Sequence, residues 1–192
     1  MKKLQSSFTN MVIVMTVVAV VAGGVLAWVN KVTAPQIEKI NAENLSKGIF
    51  AVMGSDNVQV SEAKEVGDYV FYLVADKTGK PVGTAVTTQA QGFGGTLEIL
   101  VGFDLEGTIL GYTILSSAET PGLGAKANTW FQKGQKGDIV GKNPGTCNFT
   151  VSKDGGEIDA ITASTITSRA FLGAIKKAYD ELYGDKKPLS EP

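Results

Sequence analysis

YVFYLVADKTGKPVGTAVTTQAQGFGGTLEILVGFDLEGTILGYTIL, residues 69–115, decides the fold class. Short runs rich in Val, Ile, Leu, Thr and aromatic residues alternate with turn residues. Tyr69–Ala75 breaks at Asp76-Lys-Thr-Gly-Lys-Pro, Val82–Thr88 leads to Gly92-Phe-Gly-Gly, and Leu97–Phe103 breaks at Asp104-Leu-Glu-Gly ahead of Thr108–Leu115. Runs this short, joined by glycine-containing turns, predict antiparallel hairpins rather than crossover-connected parallel strands. A further short strand is expected near Asn148–Ser152, turning at Asp154-Gly-Gly before Ile158.

Helical periodicity takes over on either side. Phe171, Leu172, Ile175, Ala178, Tyr179 and Leu182 fall on one stripe, with Lys176, Lys177, Asp180 and Glu181 opposite; Gly184 ends the run and Pro188 lies beyond it. Upstream, Ala34-Pro35 opens a helical stretch in which Ile37, Ile40, Leu45, Ile49 and Val52 share a face, ending near Met53-Gly54. Asn128–Gln132 reads as a short helix, and Gly134–Asn148 as a loop. The fold class is therefore α+β: a mostly antiparallel sheet flanked by helices.

Ahead of this lies a different kind of segment. From Met11 to Val29 there is no charged residue over 19 positions, interrupted only by Thr16 and Gly23-Gly24. As a helix it would be about 28 Å long, close to a ~30 Å hydrocarbon core. It shows no polar stripe, and Trp28 sits where an interfacial aromatic belongs. A cleavable signal peptide is the alternative, with Lys2-Lys3 as its basic start and Val25-Leu26-Ala27 before the cut, but its apolar region is usually shorter. The sequence thus predicts one transmembrane helix in 1–30 and a linking helix in 31–60, with a domain over 61–192. The basic N-tail predicts a cytoplasmic N-terminus and an extracytoplasmic domain in a single-pass protein of the cytoplasmic membrane.

Composition narrows the chemistry. The 192 residues carry 18 Lys+Arg against 19 Asp+Glu, so no basic excess points to nucleic acid. There is no histidine, which removes imidazole bases and the usual zinc and non-haem iron ligands. The single cysteine, Cys147, can form no internal disulfide and cannot build a metal site alone. No metal site is expected. Hydroxyls, carboxylates or an organic cofactor remain.

Three segments could carry such chemistry. Asp159-Ala-Ile-Thr-Ala-Ser-Thr-Ile-Thr-Ser (159–168) runs into the final helix with more hydroxyls than a cap requires. It reads either as an ordinary N-cap or as an anion site, because a helix N-terminus offers free N–H groups and a favourable dipole. Glu119-Thr-Pro-Gly-Leu-Gly-Ala-Lys (119–126) is a turn-rich loop or a backbone lying against a flat ligand. Gly92-Phe-Gly-Gly-Thr is a glycine turn whose Phe93 is either core or a stacking surface.

Together these segments resemble the FMN-binding domain shared by the G subunit of the Rnf electron-transport complex and the C subunit of the sodium-translocating NADH:quinone reductase. The likeness spans the chain, and ETPGLGAK followed by ITSRAF is most similar to the Rnf protein. The resemblance implies FMN held covalently, through its phosphate, as an ester of a threonine that closes an S/T-G-A-T pattern preceded by Asp. On this chain the pattern falls on Asp159, Thr162, Ala163, Ser164 and Thr165. Ala163 stands where the family has Gly, and Ser164 where it has Ala. Thr165 is the implied attachment point. Thr162, Ser164 and Thr167 would hydrogen-bond the phosphate, and Glu119, Thr120, Gly122 and Leu123 would wall the isoalloxazine ring. Asp159 would serve recognition by a flavin transferase, or cap the turn.

The implied activity is a membrane-anchored electron relay in a complex linking ferredoxin and NAD to ion transport, with no substrate chemistry or catalytic residue of its own. Its partners would be the other membrane subunits of that complex, the lipid bilayer, and the transferase during maturation. The same domain in the quinone reductase, or a tethered module without redox function, are the alternatives.

Overall fold

The computed structural model describes residues 8–55, 58–61 and 63–184. Lys2, Lys3 and Pro188, used above, lie outside the described residues. The chain divides into two compact units, Met1–Glu43 and Asn44–Pro192.

The first unit is helical. α1 runs Phe8–Met53, and its N-terminal part contributes no buried residue up to Glu43. Val12, Ile13, Val17, Val20, Leu26 and Trp28 all point outward. An apolar helix with no polar face and nothing packed on it suits lipid rather than a soluble core. Among the described residues α1 is the one helix long and apolar enough to cross a membrane. The helical stretch expected from Ala34-Pro35 to about Met53 continues directly from the apolar segment, so Pro35 lies inside α1. It removes one backbone bond, to the carbonyl of Lys31, and the uninterrupted helix on both sides absorbs that loss.

The second unit is an antiparallel sheet between helices. Its strands are β1 (Val58–Val60), β2 (Lys64–Val66), β3 (Tyr69–Asp76), β4 (Pro81–Gln91), β5 (Thr96–Asp104) and β6 (Ile109–Ser117). The order is β1-β3-β4-β5-β6, with β2 also paired to β3. β3 to β6 are the four runs read from sequence. β1 and β2, at three residues each, are too short to show a period. The two tight hairpins share one device. Asp76 accepts the amides of Thr78 and Lys80, and Asp104 those of Glu106 and Thr108, at 2.7–3.0 Å.

Strand alternation divides the sheet's two faces. Leu97, Ile99, Val101 and Phe103 of β5 point to one side, where they meet Phe71, Val86 and the helix α3 (Thr165–Tyr183) through Phe171, Leu172, Ile175, Ala178 and Leu182. Phe171 stacks on Phe131 at 4.6 Å between ring centroids. Leu100 points to the other side, joining Val74 and Ala85 under Ile49, Val52 and Met53 from the end of α1. That contact needs glycine. A Cβ on Gly102 would lie 2.8 Å, and one on Gly111 3.0 Å, from the carbonyl oxygen of Val52.

After β6 the chain has little regular structure: a 3-10 turn at Gly124–Lys126, the short helix α2 (Ala127–Trp130), and a second 3-10 turn at Ser152–Asp154. The strand expected near Asn148–Ser152 is absent. One parallel bridge, Val151 to Ile158, stands there, and Ser152 already enters the 3-10 turn. The two glycines that follow Asp154 tighten this loop before a ladder can extend.

Candidate functional site

The three segments singled out in the sequence meet at the N-terminus of α3. Phe93, Glu119, Thr120, Leu123, Ala163, Ser164, Thr165 and Ile166 line a cleft of about 360 Å³. Residues more than seventy positions apart are thereby brought together, and one carboxylate joins them.

Glu119 is 8% exposed, and its carboxylate fills a recess bounded by glycines. A Cβ on Gly92 would fall 1.9 Å from Glu119 Oε1, and one on Gly124 2.2 Å from Oε2. Gly94 approaches the same side chain at 3.0 Å by the same measure. The glycines of GFGG and PGLG therefore make room for a carboxylate as well as for turns. Thr167, fully buried, donates its hydroxyl to Glu119 Oε1 at 2.8 Å, and the amide of Phe93 reaches Thr167 Oγ1 at 3.5 Å. Glu119 and Thr167 thus latch the glycine turn and the 119–124 loop onto α3.

Each hydroxyl of the 162–168 segment has a distinct setting. Ser164 is the N-cap residue and is buried, yet its side chain makes no capping bond. Ser168 bonds the carbonyl of Ser164 and the amide of Ile161, both within the turn. Thr162 is exposed and does not line the cleft. Thr165, first residue of α3, is half-buried in the cleft and accepts a hydrogen bond from Lys153 Nζ at 3.3 Å. The ordinary-cap reading is therefore not what this terminus shows: no side chain caps α3, and its leading amides are left for another acceptor.

Ala163 occupies a backbone position that favours glycine. Its φ is +62°, and among the described residues it is the one non-glycine with positive φ. The chain reverses there to bring Ser164 and Thr165 to the helix start, a conformation glycine adopts without strain. Asp159 accepts Ser152 Oγ with its carboxylate and Trp130 Nε1 with its carbonyl, and is exposed. Gly122 sits at φ +80° after Pro121, in a turn closed by the Leu123 amide on the Thr120 carbonyl. Its backbone shapes the loop, and it does not line the cleft.

Sequence reasoning left Phe93 open between core and stacking surface, and gave no signal for Ile166 or Lys153. Phe93 is 77% exposed, so it is no core residue, and with Ile166 and Leu123 it forms an apolar rim. Periodicity does not decide between those two readings of a turn residue such as Phe93, and it carries no signal for an apolar side chain like Ile166 on the outer face of a helix. Lys153, twelve positions before Thr165, arrives through the loop that the strand expectation misread. Among the described residues no group of His, Cys, Asp and Glu could hold a metal ion.

The cleft offers two kinds of surface that suit a flavin nucleotide. Phe93, Leu123 and Ile166 are apolar surface of the kind a flat ring needs, while the uncapped start of α3, with Lys153 on Thr165, suits a phosphate. Similarity to known proteins agrees. The FMN-binding domain family matches residues 92–180, a span holding all three segments and Lys153. The structure also resembles a crystal structure of Shewanella oneidensis NqrC, with a TM-score of 0.53 and 14% identity, over 71% of this chain and 91% of that one.

Residues 92–180 thus match the FMN-binding domain family, within a fold shared with that structure. The G subunit of the ion-translocating oxidoreductase complex from Methanosarcina acetivorans is 30% identical over 179 residues, covering 90% of this chain and 93% of that protein. The counterpart from Erwinia tasmaniensis is 31% identical over 182 residues, covering 86% and 85%. The chain belongs to the G-subunit family of ion-translocating oxidoreductase complexes.

Proposed function

We propose that this protein is the membrane-anchored flavin relay of an ion-translocating ferredoxin:NAD oxidoreductase complex, with FMN joined through its phosphate to Thr165. Bound FMN supplies the redox chemistry, exchanging one or two electrons. The protein's own residues fix where that happens. Phe93, Leu123 and Ile166 would shield the ring together with Glu119 and Thr120, and the Gly122 turn shapes the loop that carries Thr120 and Leu123. Ser164 and the first amides of α3 receive the phosphate, and the Glu119–Thr167 latch holds the walls together. Thr162 stands outside the cleft lining and, like Asp159, is exposed.

One observation carries the assignment to Thr165. Of the hydroxyls around the turn, Thr167 and Ser168 are fully buried and engaged, Ser164 is buried, and Thr162 is off the cleft. Thr165 combines access, position in the cleft and a neighbouring cation. A phosphodiester there keeps one negative charge, which the helix N-terminus favours. A covalent link also retains the cofactor in an extracytoplasmic domain, the side implied by the basic N-tail.

The test is covalency. Protein co-expressed with a flavin transferase should gain the mass of one FMN less water, and should fluoresce on a denaturing gel. Thr165→Ala should lose both. A colourless wild-type protein of unmodified mass overturns the covalent reading, and a fluorescent band surviving in the variant moves the link to another hydroxyl.

A further inference from the structure

The loop between the Val151–Ile158 bridge and α3 is built more firmly than its exposure suggests. Ser152 is held twice, its amide on the Ile158 carbonyl at 2.7 Å and its hydroxyl on Asp159 at 3.0 Å. Asp154 is held by Arg169 of α3 in a two-pronged pair at 2.6 Å. Lys153 lies between these two anchors, and its ammonium reaches one atom, the Oγ1 of Thr165. Arg169, the neighbouring cation on α3, is already neutralised by Asp154. Lys153 has no carboxylate partner among the described residues. An unpaired cation is therefore presented, by a turn clamped on both sides, to the hydroxyl at the head of an uncapped helix.

We propose that Lys153 is the fixed counter-charge of the flavin phosphate, a binding residue outside the threonine motif; this rests on the assignment of the link to Thr165. Once Thr165 Oγ1 is an ester oxygen it carries no proton, and the phosphorus sits one bond beyond it. An ammonium already within hydrogen-bonding distance of that oxygen is in range of the phosphate's charged oxygens. Charge-assisted contacts of this kind are roughly twice as strong as neutral ones. The helix amides contribute partial charges only, so Lys153 supplies the whole charge that balances the phosphodiester. The same charge favours the approach of an incoming flavin phosphate. Asp154 and Arg169 serve indirectly, by holding the turn.

The experiment uses the full-length chain co-expressed with a flavin transferase, as wild type, Lys153→Gln, Lys153→Arg and Thr165→Val. Flavin occupancy is followed over time by intact mass, and the phosphodiester of the loaded protein by its phosphorus resonance. Lys153→Gln should load about tenfold more slowly than wild type, its loaded fraction should show a displaced resonance, and Lys153→Arg should restore both. Loading of Lys153→Gln within twofold of wild type, or a phosphorus resonance unchanged by the substitution, overturns the proposal. Thr165→Val reads the linkage separately. Flavin mass surviving there defeats the threonine ester itself, whereas a flavin-free Thr165→Val beside a normally loaded Lys153→Gln defeats only the role of the lysine.

Discussion

Ala163 holds a left-handed backbone at φ +62° beside the proposed attachment site. For a residue with a Cβ that conformation costs roughly 1–2 kcal/mol, part of which glycine returns through its more flexible unfolded chain. Ala163→Gly is therefore expected to stabilise the unmodified protein by about 1 kcal/mol, raising Tm by about 2–4 °C in a thermal melt. The opposite sign would show that the left-handed turn carries no strain. Gly92 has the reverse constraint. Gly92→Ala puts a methyl 1.9 Å from Glu119 Oε1 and must expel the carboxylate from its recess. A loss of about 1–3 kcal/mol is expected from that overpacking, together with poorer flavin retention on the gel, because the displaced side chain enters the cleft.

At the scale of elements, two contacts set how the site is held. The end of α1 lies on the sheet because Gly102 and Gly111 leave space for the backbone of Val52. Gly102→Val should separate them and cost about 1–3 kcal/mol by chemical denaturation, with the cleft at the head of α3 less affected. The Asp154–Arg169 pair holds the Lys153 turn on α3. Hydrogen bonding from Arg169 keeps the Asp154 carboxyl below its ordinary 3.8. Asp76 is held low in the same direction, chiefly by the Thr78 hydroxyl. A carboxyl depressed in the folded state contributes stability above its ordinary value and loses it as pH falls through the lowered one. The stability gap between wild type and Asp154→Asn should thus be constant from neutral pH down to about 4 and close below it, as read by denaturation at stepped pH. A gap that persists unchanged into strong acid would mean the pair is not the cause.

The molecule as a whole is a lipid-suited helix and a self-contained flavin-binding unit. The second unit has its own core on both faces of the sheet and starts at Asn44. Removing residues 1–30 is expected to move the protein from the membrane to the soluble fraction with its thermal transition retained. Recovery of the full-length protein cut after Ala27 would instead identify the apolar segment as a signal peptide. An intact N-terminus in the membrane fraction supports the retained anchor.

Much of this was legible in residue order, because the features concerned are local. An uncharged apolar run, four strands of alternating burial and a helix stripe each reveal themselves over a short window, as at Met11–Val29, Leu97–Phe103 and Phe171–Leu182. The hydroxyl-rich 159–168 turn was legible for the same reason, being one contiguous segment. β1 and β2 were too short for a period, and the 148–158 segment looked like a strand whose glycines proved to close a loop.

Residue order alone determined the apolar anchor, the α+β class, the absence of imidazole chemistry and the hydroxyl-rich turn that binds the chain to its family. Only the tertiary structure decided that Thr165 is the half-buried hydroxyl threonine lining the cleft, that Thr167 is tied to Glu119, and that Lys153 reaches Thr165. Those are relations between groups brought together through space, and periodicity, which reports on neighbours along the backbone, contains no term for them.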